Sequence, residues 1–226
     1  MKLSIIIPVL NEAGRIAVAL IALQPLRERG AEILVVDGGS TDGTAEIAAR
    51  GADHVVHAPR GRACQQNAGA KQALGDTFLF LHSDTQLPLD ADGLIADALS
   101  DRAVLWGRFD LRFDTDQTML RVVATMMNAR SRLTGIATGD QCLFVRRSAF
   151  ETVGGFPALA LMEDIALSTL LRRQSAPACL RNKVTTSARR WKKNGIWRTI
   201  FLMWWLRLAY ALGVSPWRLA RWYGQS

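Results

Sequence analysis

Short apolar runs alternate with helical patterns over the first 81 residues, and this alternation restricts the fold more than any other feature. The apolar runs are Leu3–Val9, Glu32–Asp37, His54–His57 and Thr77–Leu81. Between them lie helical patterns at Arg15–Leu23, Thr44–Arg50 and Cys64–Leu74. Because parallel strands need helical crossovers of this kind, the pattern predicts an α/β fold with a mostly parallel sheet flanked by helices.

The second half of the chain is less regular. It contains predicted strands at Val104–Phe113, Gln141–Arg146 and Leu180–Thr186, and predicted helices at Gln117–Leu133 and Met162–Arg173. A chain of 226 residues, 49% of them hydrophobic, is long enough for one domain with a sizeable core. We place this domain at residues 1–187 and expect a helical tail at residues 188–226.

The charges are divided unevenly along the chain. Residues 165–226 contain 12 of the 28 Lys and Arg residues and no Asp or Glu, whereas residues 1–164 have a net charge of −4. Six of the seven Trp residues also lie after residue 164. A basic, aromatic segment on a mildly acidic body predicts an anionic partner, either nucleic acid or a phospholipid surface.

The tail favours a membrane surface over nucleic acid. Its apolar run Ile200–Leu206 is too short to span a bilayer, and Arg198 and Arg207 flank it on opposite sides of a helix. Trp and Arg are suited to the headgroup boundary, so we expect peripheral binding to an anionic membrane. The alternative is that this helix packs in the core or forms a dimer interface, so the oligomeric state is left open.

The location of the protein is predicted from its cysteines and its N-terminus. The three cysteines, Cys64, Cys142 and Cys179, have no spacing typical of disulfides or a zinc site. The first apolar run is broken at Pro8, Asn11 and Glu12, which makes it too short for a signal peptide. We therefore expect a cytoplasmic protein that can bind the inner face of the cell membrane.

Four polar clusters follow predicted strands or begin a predicted helix, and they form the candidate site. They are Pro8–Glu12, Asp37–Thr44, His82–Thr85 and Glu163–Asp164. Ligands of parallel sheets bind at the carboxyl ends of the strands. Each cluster alone also has a structural explanation, because Gly- and Asp-rich segments form turns and acids in a first turn stabilise a helix.

Two clusters contain carboxylates suited to catalysis. Asp84, at a strand end, can hold a hard divalent cation that bridges the oxygens of a diphosphate. Glu163 and Asp164 diverge by about 100° on a helix, so one can orient a partner while the other accepts a proton. A His beside a strand end is more often a hydrogen-bonded structural residue than a ligand, so we leave His82 out of the metal set and its role open.

Together the clusters resemble the family 2 glycosyltransferases, which have the Rossmann-like GT-A fold. The resemblance covers about residues 3–173 and rests on residues 4–12 (SIIIPVLNE), 35–44 (VVDGGSTDGT) and 61–69 (GRACQQNAG). It implies an inverting transfer of a sugar from a nucleotide-diphosphate donor, commonly a UDP-sugar, to a hydroxyl acceptor. It also implies a divalent cation, Mn²⁺ or Mg²⁺.

The resemblance further implies residue roles. Asp37 would accept a hydrogen bond from the base, and Asp84 matches the metal-binding acid of the Asp-x-Asp signature, whose first acid is replaced by His82. Asp164 would be the general base, with Glu163 beside it. The residues that the resemblance places around the nucleotide are Pro8, Asn11, Glu12, Asp37, Arg62 and Ser83.

Within the family, three short segments in so short a chain resemble a compact bacterial subgroup named radical-SAM/selenodomain-associated transferase 2. They are Leu81–Thr85, Gly139–Gln141 and Arg189–Trp191. Two other classes stay open. A sugar nucleotidyltransferase would need a Gly-rich basic phosphate loop that the N-terminus lacks. A non-catalytic binder of membranes or nucleic acid would leave the placement of Asp37, Asp84 and Asp164 unexplained.

Overall fold

The computed structural model describes residues 1–224 and contains one mixed, eight-stranded sheet. The strands are β1 (Leu3–Val9), β2 (Glu32–Asp37), β3 (His54–His57), β4 (Thr77–Phe80), β5 (Thr85–Gln86), β6 (Trp106–Phe113), β7 (Phe144–Arg146) and β8 (Ala178–Thr186). Their order is β3-β2-β1-β4-β7-β6-β8-β5. Strands β3, β2, β1 and β4 are parallel, as are β6 and β8, whereas β7 and β5 are antiparallel to their neighbours.

Helices cover both faces of the sheet. They are α1 (Ala13–Glu28), α2 (Thr44–Ala48), α3 (Arg62–Gln72), α4 (Ala91–Ala98), α5 (Thr118–Thr134), α6 (Arg147–Thr152), α7 (Glu163–Arg172), α8 (Arg189–Asn194), α9 (Ile196–Ala211) and α10 (Pro216–Tyr223). Successive residues of a strand point to opposite faces, so Ile5 and Ile7 pack in one apolar layer and Ile6 in the other. Strands buried on both faces explain the continuous apolar runs of the sequence.

The predicted α/β architecture is confirmed, with three local corrections. The predicted strand Gln141–Arg146 is wrong in its first half, because Gly139–Gln141 form a 3₁₀ turn and Cys142 has a left-handed backbone with φ 50°. Helices α4 and α6 were not predicted. Strand β5 was also missed, since it consists of two residues and exists only through its pairing with β8.

The predicted tail is helical, and it folds back over the body. Leu206 of α9 and Leu219 of α10 are fully buried in a small apolar cluster with Leu161 and Met162, which precede α7. No helix within residues 1–224 combines the length and the apolarity needed to cross a membrane. The tail therefore contributes to a surface of the body rather than extending from it.

Helix α3 lies unusually close to the sheet, and this contact provides a stability test. A Cβ atom on Gly69 would lie 2.6 Å from Ile6 Cγ2 and 2.8 Å from Val36 Cγ2. Because overpacking costs about 1–3 kcal/mol, we expect Gly69→Ala to lower the free energy of unfolding. Gly93 lies in α4, and a Cβ there would meet nothing within 4 Å. Gly93→Ala should therefore raise the free energy of unfolding by about 0.5–1 kcal/mol. Urea unfolding of both variants measures the difference, and equal stabilities would contradict the close packing.

Candidate active site

A cavity of about 1730 Å³ opens at the carboxyl ends of β1 and β4. Its walls come from the β1 end at Pro8, the start of α3, the segment after β4, helices α5 and α7, and the tail helices. Ligand sites of α/β sheets lie at this edge because the strand ends leave a crevice there. The cavity is therefore the candidate active site.

The loops after β1 and β2 hold each other in place beside this cavity. The backbone N–H of Thr41 donates to Asn11 Oδ1 over 2.9 Å, and the N–H of Asn11 donates to Ser40 Oγ over 2.9 Å. Asn11 has φ 53°, a left-handed backbone that Asn tolerates better than most residues. The side chain of Asn11 thus ties the loops together and does not line the cavity.

Asp37 is buried and, like Asn11, does not line the cavity. One carboxylate oxygen, Oδ2, accepts hydrogen bonds of 3.0 Å from the N–H groups of Gly39 and Ser40. Burial would raise the pKa of Asp37, but the hydrogen bonds from Ser40 and Gly39 outweigh it and hold the pKa below its ordinary value. The second oxygen, Oδ1, is buried and accepts no hydrogen bond within the described residues. The carboxylate of Asp37 thus holds the turn after β2 from a buried position.

Arg62 and Glu163 meet inside the cavity from two different elements. Arg62 begins α3 and Glu163 begins α7, and Arg62 Nη1 lies 4.0 Å from Glu163 Oε1. Burial, followed by the negative charge of Asp164, raises the pKa of Glu163. The start of α3 is fixed by Gln65, whose Nε2 donates to the carbonyls of Val9 and Val36 over 2.8 and 2.7 Å. Arg62 therefore projects from a rigid part of the sheet edge.

The segment after β4 presents His82, Ser83 and Asp84 to the cavity. His82 Nδ1 lies 3.3 Å from Asp140 Oδ1, and its ring packs on Gly139, where a Cβ would lie 2.7 Å from Nε2. Only glycine permits this approach. His82 thus connects the strand end to the turn before β7.

The donor set at Asp84 fits a cation that is held jointly with a substrate. Within residues 1–224 no three His, Cys, Asp or Glu side chains cluster closely enough to bind a metal by themselves. Asp84 lines the cavity and is one hard oxygen donor. Mg²⁺ and similar ions are commonly held by one or two carboxylates plus substrate phosphates. Asp84 with a bound diphosphate would meet that requirement.

Asp164 is fixed by two backbone donors. Its Oδ2 accepts a hydrogen bond of 2.7 Å from the N–H of Gly139, and its Oδ1 accepts one of 2.7 Å from the N–H of Ile165. The carboxylate lines the same cavity as Asp84. Because Met162 before it has a left-handed backbone with φ 69°, helix α7 begins abruptly and its first turn faces the cavity. The carboxylate is thus preorganised.

Two arginines of the tail face the half of the cavity that contains Asp84. Arg189 Nη2 lies 3.9 Å from Glu12 Oε1, and Arg190 packs over the Tyr223 ring with its Cζ 4.8 Å from the ring centre. Burial and the positive charge of Arg62 lower the pKa of Arg190, while Asp140 and Asp84 act in the opposite direction. These cations surround a space suited to an anion, such as a diphosphate.

The other half of the cavity is apolar and was not foreseen from the sequence. Helix α5 lines it with six residues at helical spacing, namely Met119, Val122, Val123, Met126, Met127 and Arg130. Helix α9 also lines the cavity, with residues that include Trp197, Trp204 and Arg207. The sequence predicted helix α5 from its period, but that period does not show which element the apolar face of the helix meets.

The structure brings together most of the predicted site residues. Those that line the cavity are Pro8, Glu12, Arg62, Ser83, Asp84, Glu163 and Asp164. Asn11, which is exposed, and Asp37, which is buried, do not line the cavity and hold the loops beside it. Arg130 and Arg207 also line the cavity but were missed as site residues. The only sequence signal for Arg207 was an interrupted apolar run, and Arg130 gave none.

Comparison with known proteins gives one family and several related folds. The family described as glycosyl transferase family 2 matches residues 4–154. Over 104 residues the chain is 36% identical to the succinoglycan biosynthesis protein ExoA of Rhizobium meliloti (strain 1021). That region is 44% of this chain and 31% of the relative, so the chain spans less than a third of the relative's length.

Three solved structures are similar over most of the chain. The mannosyltransferase PcManGT from Pyrobaculum calidifontis, in complex with GDP-Man and Mn²⁺, has a TM-score of 0.68 at 23% identity and covers 92% of this chain and 61% of its own. S. aureus TarS 1-349 with UDP-GlcNAc has a TM-score of 0.67 at 20% identity, over 83% and 58%. Glucosyl-3-phosphoglycerate synthase from Mycobacterium tuberculosis, with Mn²⁺, UDP and phosphoglyceric acid, has a TM-score of 0.61 at 17% identity, over 80% and 69%. At these identities the likeness concerns the fold.

Proposed function

The chain belongs to glycosyl transferase family 2, and from this membership we propose that it is an inverting, metal-dependent transferase that uses a nucleotide-diphosphate sugar. Its GT-A fold matches that of the similar structures. The alternative of a sugar nucleotidyltransferase is set aside by the family match. The subgroup named radical-SAM/selenodomain-associated transferase 2 stays a resemblance.

One observation carries the proposal. A single cavity contains Asp84 and three arginines in one half, and the preorganised carboxylate of Asp164 lies in the same cavity. The three arginines are Arg62, Arg189 and Arg190. This arrangement provides cationic groups for a diphosphate leaving group and a base for the attacking acceptor.

We propose that the sugar donor is a UDP-sugar. Support comes from TarS and from glucosyl-3-phosphoglycerate synthase, which were solved with UDP-GlcNAc and UDP. Pro8, Glu12 and Ser83 line the pocket for the nucleotide, and Asp37 supports that pocket by holding the turn at Gly39 and Ser40. Asn11 acts through the loop that it holds, so it is a positioning residue rather than a contact.

Asp84 would hold Mn²⁺ or Mg²⁺ together with the donor diphosphate. Such an ion, when bound, neutralises the charge that develops on the diphosphate. Arg62 and Arg190 add fixed positive charge on the same side. Mn²⁺ in PcManGT and in glucosyl-3-phosphoglycerate synthase supports this assignment.

The transfer itself is one displacement. The acceptor hydroxyl gives its proton to Asp164 while its oxygen forms a bond to the anomeric carbon. The bond from that carbon to the diphosphate oxygen breaks, and the nucleoside diphosphate leaves with the electron pair. Attack opposite the leaving group inverts the anomeric centre, so no covalent enzyme intermediate is needed. Glu163, beside Asp164, pairs with Arg62 at 4.0 Å, so we do not assign it the proton of the acceptor hydroxyl.

A donor screen tests the proposal. Binding of UDP and GDP is measured by calorimetry with Mn²⁺, with Mg²⁺ and in EDTA, while NAD and duplex DNA serve as controls for other functions. We expect UDP to bind much more tightly with a divalent cation than in EDTA. Incubation of UDP-sugars with a cell extract, followed by mass spectrometry, then identifies the product. A protein that binds neither nucleotide under any condition would contradict the proposal.

We also propose that residues 1–187 form the catalytic body and that the tail associates with an anionic membrane from the cytoplasm. The outer surface of the tail, outside the cavity, exposes Phe201 and Trp205 by 70% and 56%. Lys192, Lys193 and Arg198 are exposed around it. Aromatic rings and basic groups on one surface complement the apolar and phosphate layers of a bilayer boundary.

Vesicle sedimentation tests the membrane proposal. We expect the protein to sediment with phosphatidylglycerol vesicles, less so at high salt, because salt screens the charges but not the apolar contacts. The double variant Phe201→Ser, Trp205→Ser should weaken binding by about tenfold or more. The matched control Val18→Ser, Ile21→Ser removes two equally exposed residues of α1 and should change nothing. Loss of a dimer in the tail variant, without any vesicle binding by the original chain, would show that this surface joins two copies instead.

A further inference from the structure

Two apolar stripes, one on α5 and one on α9, line the part of the cavity away from Asp84 and the donor arginines. The α5 stripe runs from Met119 to Arg130, and the α9 stripe runs from Trp197 to Arg207. The stripes do not pack together, because Met126 remains 54% exposed and Trp204 66% exposed. Large apolar side chains left uncovered in a cavity form a ready site for an apolar ligand.

Each stripe ends in a cation close to Asp164. Arg130 Nε and Nη2 are buried and donate no hydrogen bond within residues 1–224. Burial, together with the positive charge of Arg207, lowers the pKa of Arg130 to about 10. Burial also lowers the pKa of Arg207, against the opposite effect of Asp164. Asp164 partly offsets the positive charge of both guanidinium groups, but two such groups in one low-dielectric space remain costly, and a bound anion would relieve that cost.

We propose that this half of the cavity binds the acceptor, and that the acceptor is a lipid with a phosphate head group. The apolar chain would lie between the α5 and α9 stripes, and the phosphate would pair with Arg130 and Arg207. A guanidinium group binds phosphate through paired hydrogen bonds, which suits both arginines to this role. The assignment rests on the proposed transferase function, whose acceptor it specifies.

The same displacement applies to such an acceptor. A singly ionised phosphate keeps one hydroxyl, whose proton passes to Asp164 as its oxygen bonds to the anomeric carbon. The sugar–diphosphate bond breaks and the nucleoside diphosphate leaves. The exposed rings of Trp197 and Trp204 at the rim would contact the remaining chain, close to the surface that we propose for the membrane.

Binding of a simple probe tests the site without any transfer. Calorimetry compares decyl phosphate, decanol and inorganic phosphate with the full chain, below the micelle threshold. We expect decyl phosphate to bind about tenfold tighter than decanol and about a hundredfold tighter than inorganic phosphate. R130Q should weaken decyl phosphate about tenfold and leave decanol unchanged, whereas M126E should weaken both. If R130Q does not fold, R207Q tests the same requirement for a positive charge in decyl phosphate binding.

Matched controls come from the same helix. R121Q removes a charge from α5 outside the cavity, and L133E adds one at a position that is 87% exposed. Both should bind decyl phosphate as the original chain does. So should the Phe201→Ser, Trp205→Ser variant, which separates the cavity from the outer surface of the tail.

The outcomes separate this inference from the proposed function. Equal binding of decyl phosphate and decanol, or binding that R130Q and R207Q leave unchanged, would overturn the lipid phosphate site. Competition between decyl phosphate and UDP would also overturn it, because the arginines would then serve the donor. If UDP fails to bind while decyl phosphate binds through Arg130, the transferase proposal fails and the lipid site stands.

Discussion

Asp164→Asn should leave donor binding intact and lower the rate of sugar transfer by about 10²- to 10⁴-fold, the usual contribution of general base catalysis. The amide cannot accept the acceptor proton. It can still accept one of the two backbone hydrogen bonds that fix the carboxylate, from Gly139 and Ile165, so the fold should survive. The effect should therefore fall on chemistry rather than on assembly of the site.

Steady-state kinetics measures the chemical step and calorimetry measures donor binding, so together they distinguish an effect on chemistry from an effect on assembly of the site. With saturating donor, kcat should fall, while the affinity for UDP with Mn²⁺ stays within about twofold. Asp97→Asn, a carboxylate of α4 outside the cavity, is the matched control and should behave as the original chain. If transfer by Asp164→Asn persists within a few-fold, another group is the base, and Glu163 is the first to examine because it lies next to Asp164.

Asp84→Asn should abolish metal-dependent binding of UDP. Within residues 1–224 no three acidic, His or Cys side chains form a metal site without help from a substrate, so the cation depends on Asp84 and the diphosphate together. An amide oxygen is a neutral and weaker donor for a hard cation than a carboxylate is. We expect the affinity of the variant for UDP in Mn²⁺ to equal the affinity of the original chain in EDTA.

Uridine provides an internal control for this variant. It lacks the diphosphate, so its binding should be the same in both proteins, with and without metal. Unchanged affinity of Asp84→Asn for UDP in Mn²⁺ would remove the metal role of Asp84. A loss of uridine binding would instead indicate that the substitution disturbs the wall around His82, whose ring packs on Gly139.

Local patterns were sufficient to predict the first half of the fold. Strands β1, β2 and β4 are buried apolar runs, whereas β3, at the sheet edge, is largely exposed, and a helical pattern separates each of these four strands from the next. These signals are strong because a strand buried on both faces must be apolar at every position. The short elements α6 and β5 escaped prediction, since six residues and two residues are too few to show a period.

The candidate site was only partly predictable. Asp84, Glu163 and Asp164 occur at points where a chain pattern alone indicates chemistry, namely a strand end and the first turn of a helix. Asn11 and Asp37, predicted as nucleotide contacts, do not line the cavity, and their side chains hold the loops beside it. A sequence pattern shows which loop a polar residue occupies, but it does not show toward which partner the side chain turns.

The sequence by itself determined the α/β class, and it predicted the sheet edge at which the candidate site lies and the carboxylates that we propose for catalysis. It also determined that charge and Trp are concentrated in the tail. Only the tertiary structure decided that α9 folds back to face α5, so that Arg130 and Arg207, 77 positions apart in the chain, share one cavity with Asp164. The physical reason is that amphipathic periodicity specifies which face of a helix is buried, whereas the neighbour it meets depends on long-range packing, here of Leu206 and Leu219 against Leu161 and Met162.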